Sequence, residues 1–174
     1  LWIAKRKSDT KADTDSLTGA LTRRAMLRQL KSLLRKHPTS CIALIDIDHF
    51  KRINDKYGHA VGDEVLNTFS QTILKRIRKS DLLCRYGGEE FLIYFENSSE
   101  QEVKSVLNEL NDAFSRVAHW KHTDKAFTVS FSSGVVALNG SVNSESVIKT
   151  CDDLLYKAKN NGRSRVESTT LAHA

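Results

Sequence analysis

Two short acidic segments combine residue types and spacings that suit metal-dependent chemistry on phosphates. The first is Gly87-Gly88-Glu89-Glu90-Phe91, set between the apolar runs Leu82-Leu83-Cys84 and Phe91-Leu92-Ile93-Tyr94-Phe95. Two apolar runs around a Gly-Gly pair read as a β-hairpin whose turn carries two carboxylates. The glycines permit positive φ and let a phosphate come close to the backbone. Adjacent acids at a hairpin tip repel one another unless a cation neutralises them. Taken alone, the five residues read equally well as a solvated turn followed by surface acids. The second segment is Cys41-Ile42-Ala43-Leu44-Ile45-Asp46-Ile47-Asp48, an apolar run of the kind buried on both faces of a sheet, ending in two acids. In a strand, Asp46 and Asp48 point to the same face. Unpaired carboxylates at the end of a buried strand must be protonated or compensated, unless they simply lie in water beyond it. If strand and hairpin are neighbours in one sheet, Asp46, Glu89 and Glu90 can converge on a hard cation with oxygen ligands, magnesium being the natural one.

The elements that must position these acids are legible from periodicity. Asp15 or Ser16 is placed to cap a helix carrying Leu21, Ala25, Leu27, Leu30, Leu33 and Leu34, which stops before Pro38. Strand 41–47 follows. Val61, Val65, Leu66, Phe69, Ile73 and Ile77 recur at helical spacing, as do Val103, Val106, Leu107, Leu110, Phe114 and Val117. Phe127, Val129, Phe131 and Val135 alternate as a strand, and Val147, Ile148, Cys151, Leu155 and Ala158 mark a last helix. Helices separating strands, with one central hairpin, predict an α/β or α+β sandwich. The turn after the first strand, at His49, Phe50 and Lys51, offers backbone N–H groups and an ammonium to phosphate at a helix start.

Composition sets the outer bounds. With 174 residues, 40% hydrophobic and 28% charged, the chain can bury one sizeable core and is too short for two full domains. Against 21 Asp and Glu stand 27 Lys and Arg, a formal net charge of +6 that suits anionic partners. The charges are dispersed, however. The one dense basic cluster, Lys75, Arg76, Arg78 and Lys79, falls at a helix C-terminus, where the dipole favours cations, so a nucleic-acid interface is not expected. Cys41, Cys84 and Cys151 lie in apolar contexts without Cys-x-x-Cys spacing, which indicates neither a disulfide framework nor a zinc site and suits a reducing cytosol. His119 and His122 are read as surface residues. Leu1-Trp2-Ile3-Ala4 followed by Lys5-Arg6-Lys7 is similar to the cytoplasmic end of a membrane helix and equally to a linker; four apolar residues cannot span a bilayer. Residues 1–14 are expected to be a linker or juxtamembrane remnant, 15–167 the domain, and 168–174 a flexible tail.

The acidic motifs resemble those of a known family. Asp46-Ile-Asp-His-Phe-Lys-Arg-Ile-Asn-Asp-Lys-Tyr-Gly-His-Ala-Val-Gly-Asp63, followed by Arg85-Tyr-Gly-Gly-Glu-Glu-Phe91, is similar to the nucleotide-binding and signature blocks of the GGDEF-domain diguanylate cyclases. The match runs from Asp15-Ser-Leu-Thr-Gly19 to Lys159-Asn-Asn-Gly-Arg163, and several ordered motifs are far more specific than any single one. The resemblance implies a palm-like, mostly antiparallel central sheet flanked by helices, similar to nucleotidyl cyclases. It implies condensation of two GTP into cyclic di-GMP and two pyrophosphates across a homodimer of half-sites, as the cytoplasmic output domain of a larger, in some cases inner-membrane-anchored, bacterial signalling protein. It assigns Asp46, Glu89 and Glu90 to catalysis, and Asp46, the Ile47 carbonyl, Glu89 and Glu90 to a Mg2+ ion, with Mn2+ as the alternative. Substrate would be held by His49, Phe50, Lys51, Gly87, Gly88, Lys159 and Arg163, with Asn54 and Asp63 reading guanine. Arg78 and Asp81 match an inhibitory site for the product. The chain departs from the family pattern at Ala20 and Thr22, where Leu and Asn are usual, and at Ser133, where an apolar residue is usual. Two other classes remain: a non-catalytic nucleotide receptor, which the intact acids argue against, and a nucleotide-independent dimerisation module, which would not need them.

Overall fold

The computed structural model describes residues 13–119 and 123–172. In chain order its elements are β1 (Leu21–Thr22), α1 (Arg23–Lys36), β2 (Cys41–Ile47), α2 (Phe50–Tyr57), α3 (His59–Arg76), β3 (Leu82–Arg85), β4 (Glu90–Phe95), α4 (Glu100–Ser115), β5 (Phe131–Asn139), α5 (Ser144–Asn160) and β6 (Val166–Ala172). The strands form one six-stranded sheet in the order β1-β3-β4-β2-β5-β6. The three central ladders are antiparallel, and the outer pairs β1–β3 and β5–β6 are parallel.

Strand β2 sits at the middle, hydrogen-bonded to β4 on one edge and β5 on the other, and every one of its residues is buried. Its alternate residues enter two separate cores. Cys41, Ala43, Ile45 and Ile47 join Val65, Phe69, Leu107 and Phe114 from α3 and α4. Ile42 and Leu44 join Met26, Leu30, Cys151 and Leu155 from α1 and α5. The fold is therefore a three-layer sandwich, and a continuous apolar strand is what two covered faces require. Phe69 centres the first core, edge-on to Phe91, Phe114 and Phe131 at 4.9, 5.0 and 5.3 Å.

Several sequence expectations are corrected. The first helix begins at Arg23 rather than near Asp15, because Leu21–Thr22 pair with Cys84–Arg85 as a short strand. Thr22 is its N-cap, accepting from the Ala25 N–H at 3.2 Å, so the departure from Asn keeps a capping oxygen. Asp15 instead closes a turn, accepting from the N–H and hydroxyl of Thr18 at 2.9 and 2.7 Å. Leu27 is exposed rather than part of the buried stripe. Ser133, the other departure, is buried and donates its hydroxyl to the Leu44 carbonyl at 3.2 Å. Strand β5 starts at Phe131, whereas Phe127 makes a lone bridge with His119 and stacks on Tyr57 at 4.3 Å. His119 is buried between Phe114 and Phe127, not on the surface, and neither ring nitrogen has a partner. Burial therefore holds its pKa below the ordinary histidine value. Residues 168–172, expected in a flexible tail, belong to β6. Its backbone pairs with β5, and Ser168 and Thr170 each donate to Glu100 at 2.6 Å. The Leu1–Lys7 segment and His122 lie outside the described residues. All three cysteines are free and buried, their thiols pushed up to about 12 by desolvation. Among the described residues no helix is long and apolar enough to cross a membrane.

Helix α5 lies on β5 at Gly134, where a Cβ would drive into the Cys151 carbonyl and stand 2.6 Å from the Leu155 nitrogen, both backbone atoms of the helix. Because backbone cannot step aside as a side chain can, Gly134→Ala should destabilise the fold by about 2–3 kcal/mol. The check is a fall in the urea midpoint at unchanged slope; an unchanged midpoint would show that the helix has slack at this crossing.

Candidate active site

Strand parity places the acids. Asp46 continues the set Ile42 and Leu44, and Glu90 the set Leu92 and Tyr94, so both project toward the α1/α5 side. They are also direct register partners across the β2–β4 ladder. Asp46 is only 8% exposed. Its carboxyl pKa is raised to about 6, chiefly by burial and further by Glu89 and Glu90, against the pull of Lys159. The Lys159 ammonium, from the last turn of α5, lies 3.0 Å from Asp46 Oδ2. Burial likewise raises Glu90, with Lys159 opposing and Asp152 and Glu89 reinforcing.

Glu89 stands in the turn just before β4 and opens onto a different surface from Glu90. Its carbonyl accepts the Ile47 N–H at 3.3 Å, and it lines a cleft on the α2/α3 side together with Gly88. The expected convergence of Asp46, Glu89 and Glu90 is thus partial. Among the described residues no three acidic, His or Cys side chains are drawn into one cage. An oxygen-only donor set of surplus negative charge, with Asp46 and Glu90 raised in pKa by burial, nonetheless suits a hard divalent cation. Asp48, by contrast, is no free ligand: its carboxylate accepts from the hydroxyls of Ser130 and Ser132 at 2.6 and 2.7 Å and from the Ser164 N–H at 3.0 Å.

The cleft has a volume of about 470 Å³ and is lined by Phe50, Lys51, Asn54, Asp63, Gly88 and Glu89, all expected, and by His59, Leu66 and Arg85, which were not. Helix α2 opens it. Its first N–H groups, from Phe50 onward, precede the first intrahelical bond, made by Ile53 to the His49 carbonyl at 3.2 Å. His49 itself holds the left-handed conformation at φ 57° and is exposed outside the cleft lining. A single residue, Gly58 at φ 88°, separates α2 from α3, so Asn54 and Asp63 come from two helices. The Asn54 Oδ1 is buried without a partner. A side chain at Gly62 would collide with it, which is a packing reason for glycine there.

The hairpin turn is closed by the Tyr86 and Gly87 N–H groups donating to the Glu90 carbonyl at 2.7 and 3.1 Å. Neither Gly87 nor Gly88 uses the positive φ that glycine permits. Gly87 matters through close approach instead, since a Cβ would stand 2.5 Å from Glu90 Oε2 and displace that carboxylate. Arg85 clamps the turn: its Nε and Nη2 donate to the Gly88 carbonyl at 3.1 and 2.9 Å, and its Nη1 reaches Asp15 at 3.3 Å. Its place just before the Gly-Gly turn was the available signal.

Lys159 and Arg163 do not share a helix face, because α5 ends at Asn160 and Arg163 follows Gly162 in left-handed backbone at φ 62°. Arg78 and Asp81 lie apart, on a small groove of about 50 Å³ bordered by Phe95, Ser98 and Glu102. Asp81 is 7% exposed, and its two oxygens already accept the backbone N–H groups of Arg78 and Glu96 at 2.8 and 3.0 Å. Each keeps one further lone pair.

Residues 12–165 match the family described as "Diguanylate cyclase, GGDEF domain". The chain is 37% identical over 162 residues to diguanylate cyclase DgcP of Pseudomonas aeruginosa, covering 90% of this chain and 24% of that protein. It is 38% identical over 165 residues to the response regulator PleD of Caulobacter vibrioides, covering 89% and 36% respectively. The chain thus spans about a quarter to a third of the length of these relatives. The fold is similar to the crystal structure of the GGDEF domain of DgcB from Caulobacter crescentus in complex with c-di-GMP, with a TM-score of 0.85 and 31% identity over 90% of this chain and 93% of that one. On the motif match, the strand parity that seats the acids and these likenesses together, the chain belongs to the diguanylate cyclase GGDEF-domain family.

Proposed function

We propose that this domain joins two GTP molecules into cyclic di-GMP, releasing two pyrophosphates, with one GTP on each of two facing copies. Each ribose 3′-hydroxyl attacks the α-phosphorus of the other nucleotide. One P–O bond forms, the bridge to the β-phosphate breaks, and the hydroxyl proton is lost. The observation that carries the reading is the cleft of about 470 Å³, which has helix N–H groups and Lys51 at its mouth, carboxyl-bearing strand ends beside it and a buried unpartnered amide oxygen within.

The free N–H groups at the start of α2 and the Lys51 ammonium hold the phosphates, and Lys159 and Arg163 add charge from the other side. The Asn54 Oδ1 and the Asp63 carboxylate are two acceptors, which match the adjacent N1–H and amino donors of guanine. Asp46, Glu89, Glu90 and the Ile47 carbonyl would hold a divalent cation, Mg2+ or Mn2+, which when bound draws charge from the attacking and leaving oxygens. Lys159 has a matching task, holding the Asp46 carboxylate ionised against its burial. Arg78 and Asp81 bind product away from the reacting atoms. The same reading calls for a cytoplasmic location, where GTP is held.

Incubation with GTP and Mg2+ should yield cyclic di-GMP and pyrophosphate, identified by mass spectrometry. Glu90→Gln and Asp46→Asn should each lower kcat about 10²–10⁴-fold while circular dichroism stays unchanged. Undiminished synthesis by a folded variant would remove the acids from catalysis.

Base selection follows from the acceptor pair. Because ATP leaves those acceptors facing the wrong edge, kcat/KM for GTP should exceed that for ATP by at least about 10²-fold. Equal values would end the role given to Asn54 and Asp63.

Feedback is separable because Arg78 lies on another groove. Arg78→Ala should keep the initial rate within about twofold and weaken inhibition by added cyclic di-GMP at least about tenfold. An unchanged inhibition curve would make Arg78 a helix-end cation only.

A further inference from the structure

Helices α1 and α5 lie side by side on the sheet face toward which Asp46 and Glu90 project. They run in opposite senses there: α1 starts beside the hairpin, since β1 pairs with Cys84–Arg85, and α5 finishes beside Asp46. Arg23, the first residue of α1, places its guanidinium 4.3 Å from the centre of the Tyr86 ring, next to the Gly-Gly turn. On α5, Asp152, Tyr156 and Lys159 follow at i, i+4 and i+7 and share one face. Arg23 and Asp152 lie close enough to Glu90 for their charges to act on its carboxyl in opposite directions. The carboxylate end of the sheet is thus flanked by a cation on one side and an anion on the other. Asp152 is exposed and has no ion pair among the described residues. One turn beyond Asp152 on the same face, Tyr156 is 69% exposed, the most open large apolar side chain described.

We propose that this rim, Arg23 with Tyr86 on one side and Asp152 with Tyr156 on the other, is the surface on which a second copy of the chain seats, each Arg23 pairing with the partner's Asp152. The proposal rests on the two-copy reading above and adds the contact that brings the copies together. A two-fold axis running between Arg23 and Asp152 brings each against its opposite charge twice, which is the self-complementarity an isologous interface demands. Any other partner would need its own matching pair of charges. Aromatic and arginine side chains at the centre, with charges fixing register, are the composition expected of such a contact. On the two-copy reading, with one GTP held by each copy, the site is incomplete without it.

Charge reversal in mixtures tests the contact independently of any effect on Glu90 within one chain. Arg23→Glu alone sets Glu against Asp, and Asp152→Arg alone sets Arg against Arg. A mixed pair of the two variants restores both opposite-charge contacts. Sedimentation velocity with a non-hydrolysable GTP analogue and Mg2+ should show each single variant self-associating at least about tenfold more weakly than the parent chain. An equimolar mixture should recover to within about threefold of it. Circular dichroism establishes that both variants are folded. Association of either variant equal to the parent's, or a mixture no stronger than its components, would overturn the proposal. Association does not require turnover, so a parent chain that associates yet makes no cyclic di-GMP would fail the catalytic reading alone.

Discussion

The ion pair between Lys159 and Asp46, 3.0 Å apart at the end of β2, is the interaction around which the rest of the molecule is arranged. A strand covered on both faces can carry charge only where it emerges, and even there burial lifts the Asp46 pKa to about 6. Holding an ammonium beside that carboxylate requires α5 to end at a fixed height over the sheet. Gly134 lets the helix touch β5 directly, and Asp48 ties Ser130, Ser132 and the Ser164 N–H into one bundle just beyond the helix end. Packing in the middle of the sheet and charge at its end are one problem solved together.

The same strand separates two kinds of surface. Odd-numbered residues of β2 enter the core under α3 and α4, and even-numbered ones the core under α1 and α5. Asp46 and Glu90 follow the even set, while Glu89, one residue earlier in the hairpin, opens onto the cleft beside α2 and α3. A one-residue slip of β4 against β2 would exchange the roles of the two glutamates. The apolar register of Phe91, Ile93 and Phe95 against Ile45, Ala43 and Cys41 prevents that slip.

What could be read from the residues alone was whatever apolar patterning writes strongly. Strand β2 was legible because seven consecutive apolar or strand-end residues leave few alternatives, and the hairpin because its glycines interrupt two such runs. Strand β6 was not, because Val166-Glu-Ser-Thr-Thr-Leu-Ala172 is an edge strand held by backbone pairing and by hydroxyls donating to Glu100, neither of which leaves an apolar signature. The two-residue β1 hid for a similar reason, and its presence moved the start of α1 by several residues. At the site, the acids stood out as charges at the ends of apolar runs, whereas Asn54 and Asp63 were singled out only by the family resemblance. Arg85 acts by gripping the Gly88 carbonyl and Asp15 at once, a contact between segments far apart in sequence that only the folded chain brings together.

The single-residue break at Gly58 has a consequence for how the cleft can change over time. Asn54, His59, Asp63 and Leu66, which line its amide-bearing part, all come from one uninterrupted stretch of helix, turn and helix. The carboxylate end draws on β2, β4, α5 and the loop beyond it, each locked to the others through the central ladder. A lineage can therefore exchange the first stretch piecemeal and drift in what the cleft accepts, whereas any shift at the second must move several segments in concert.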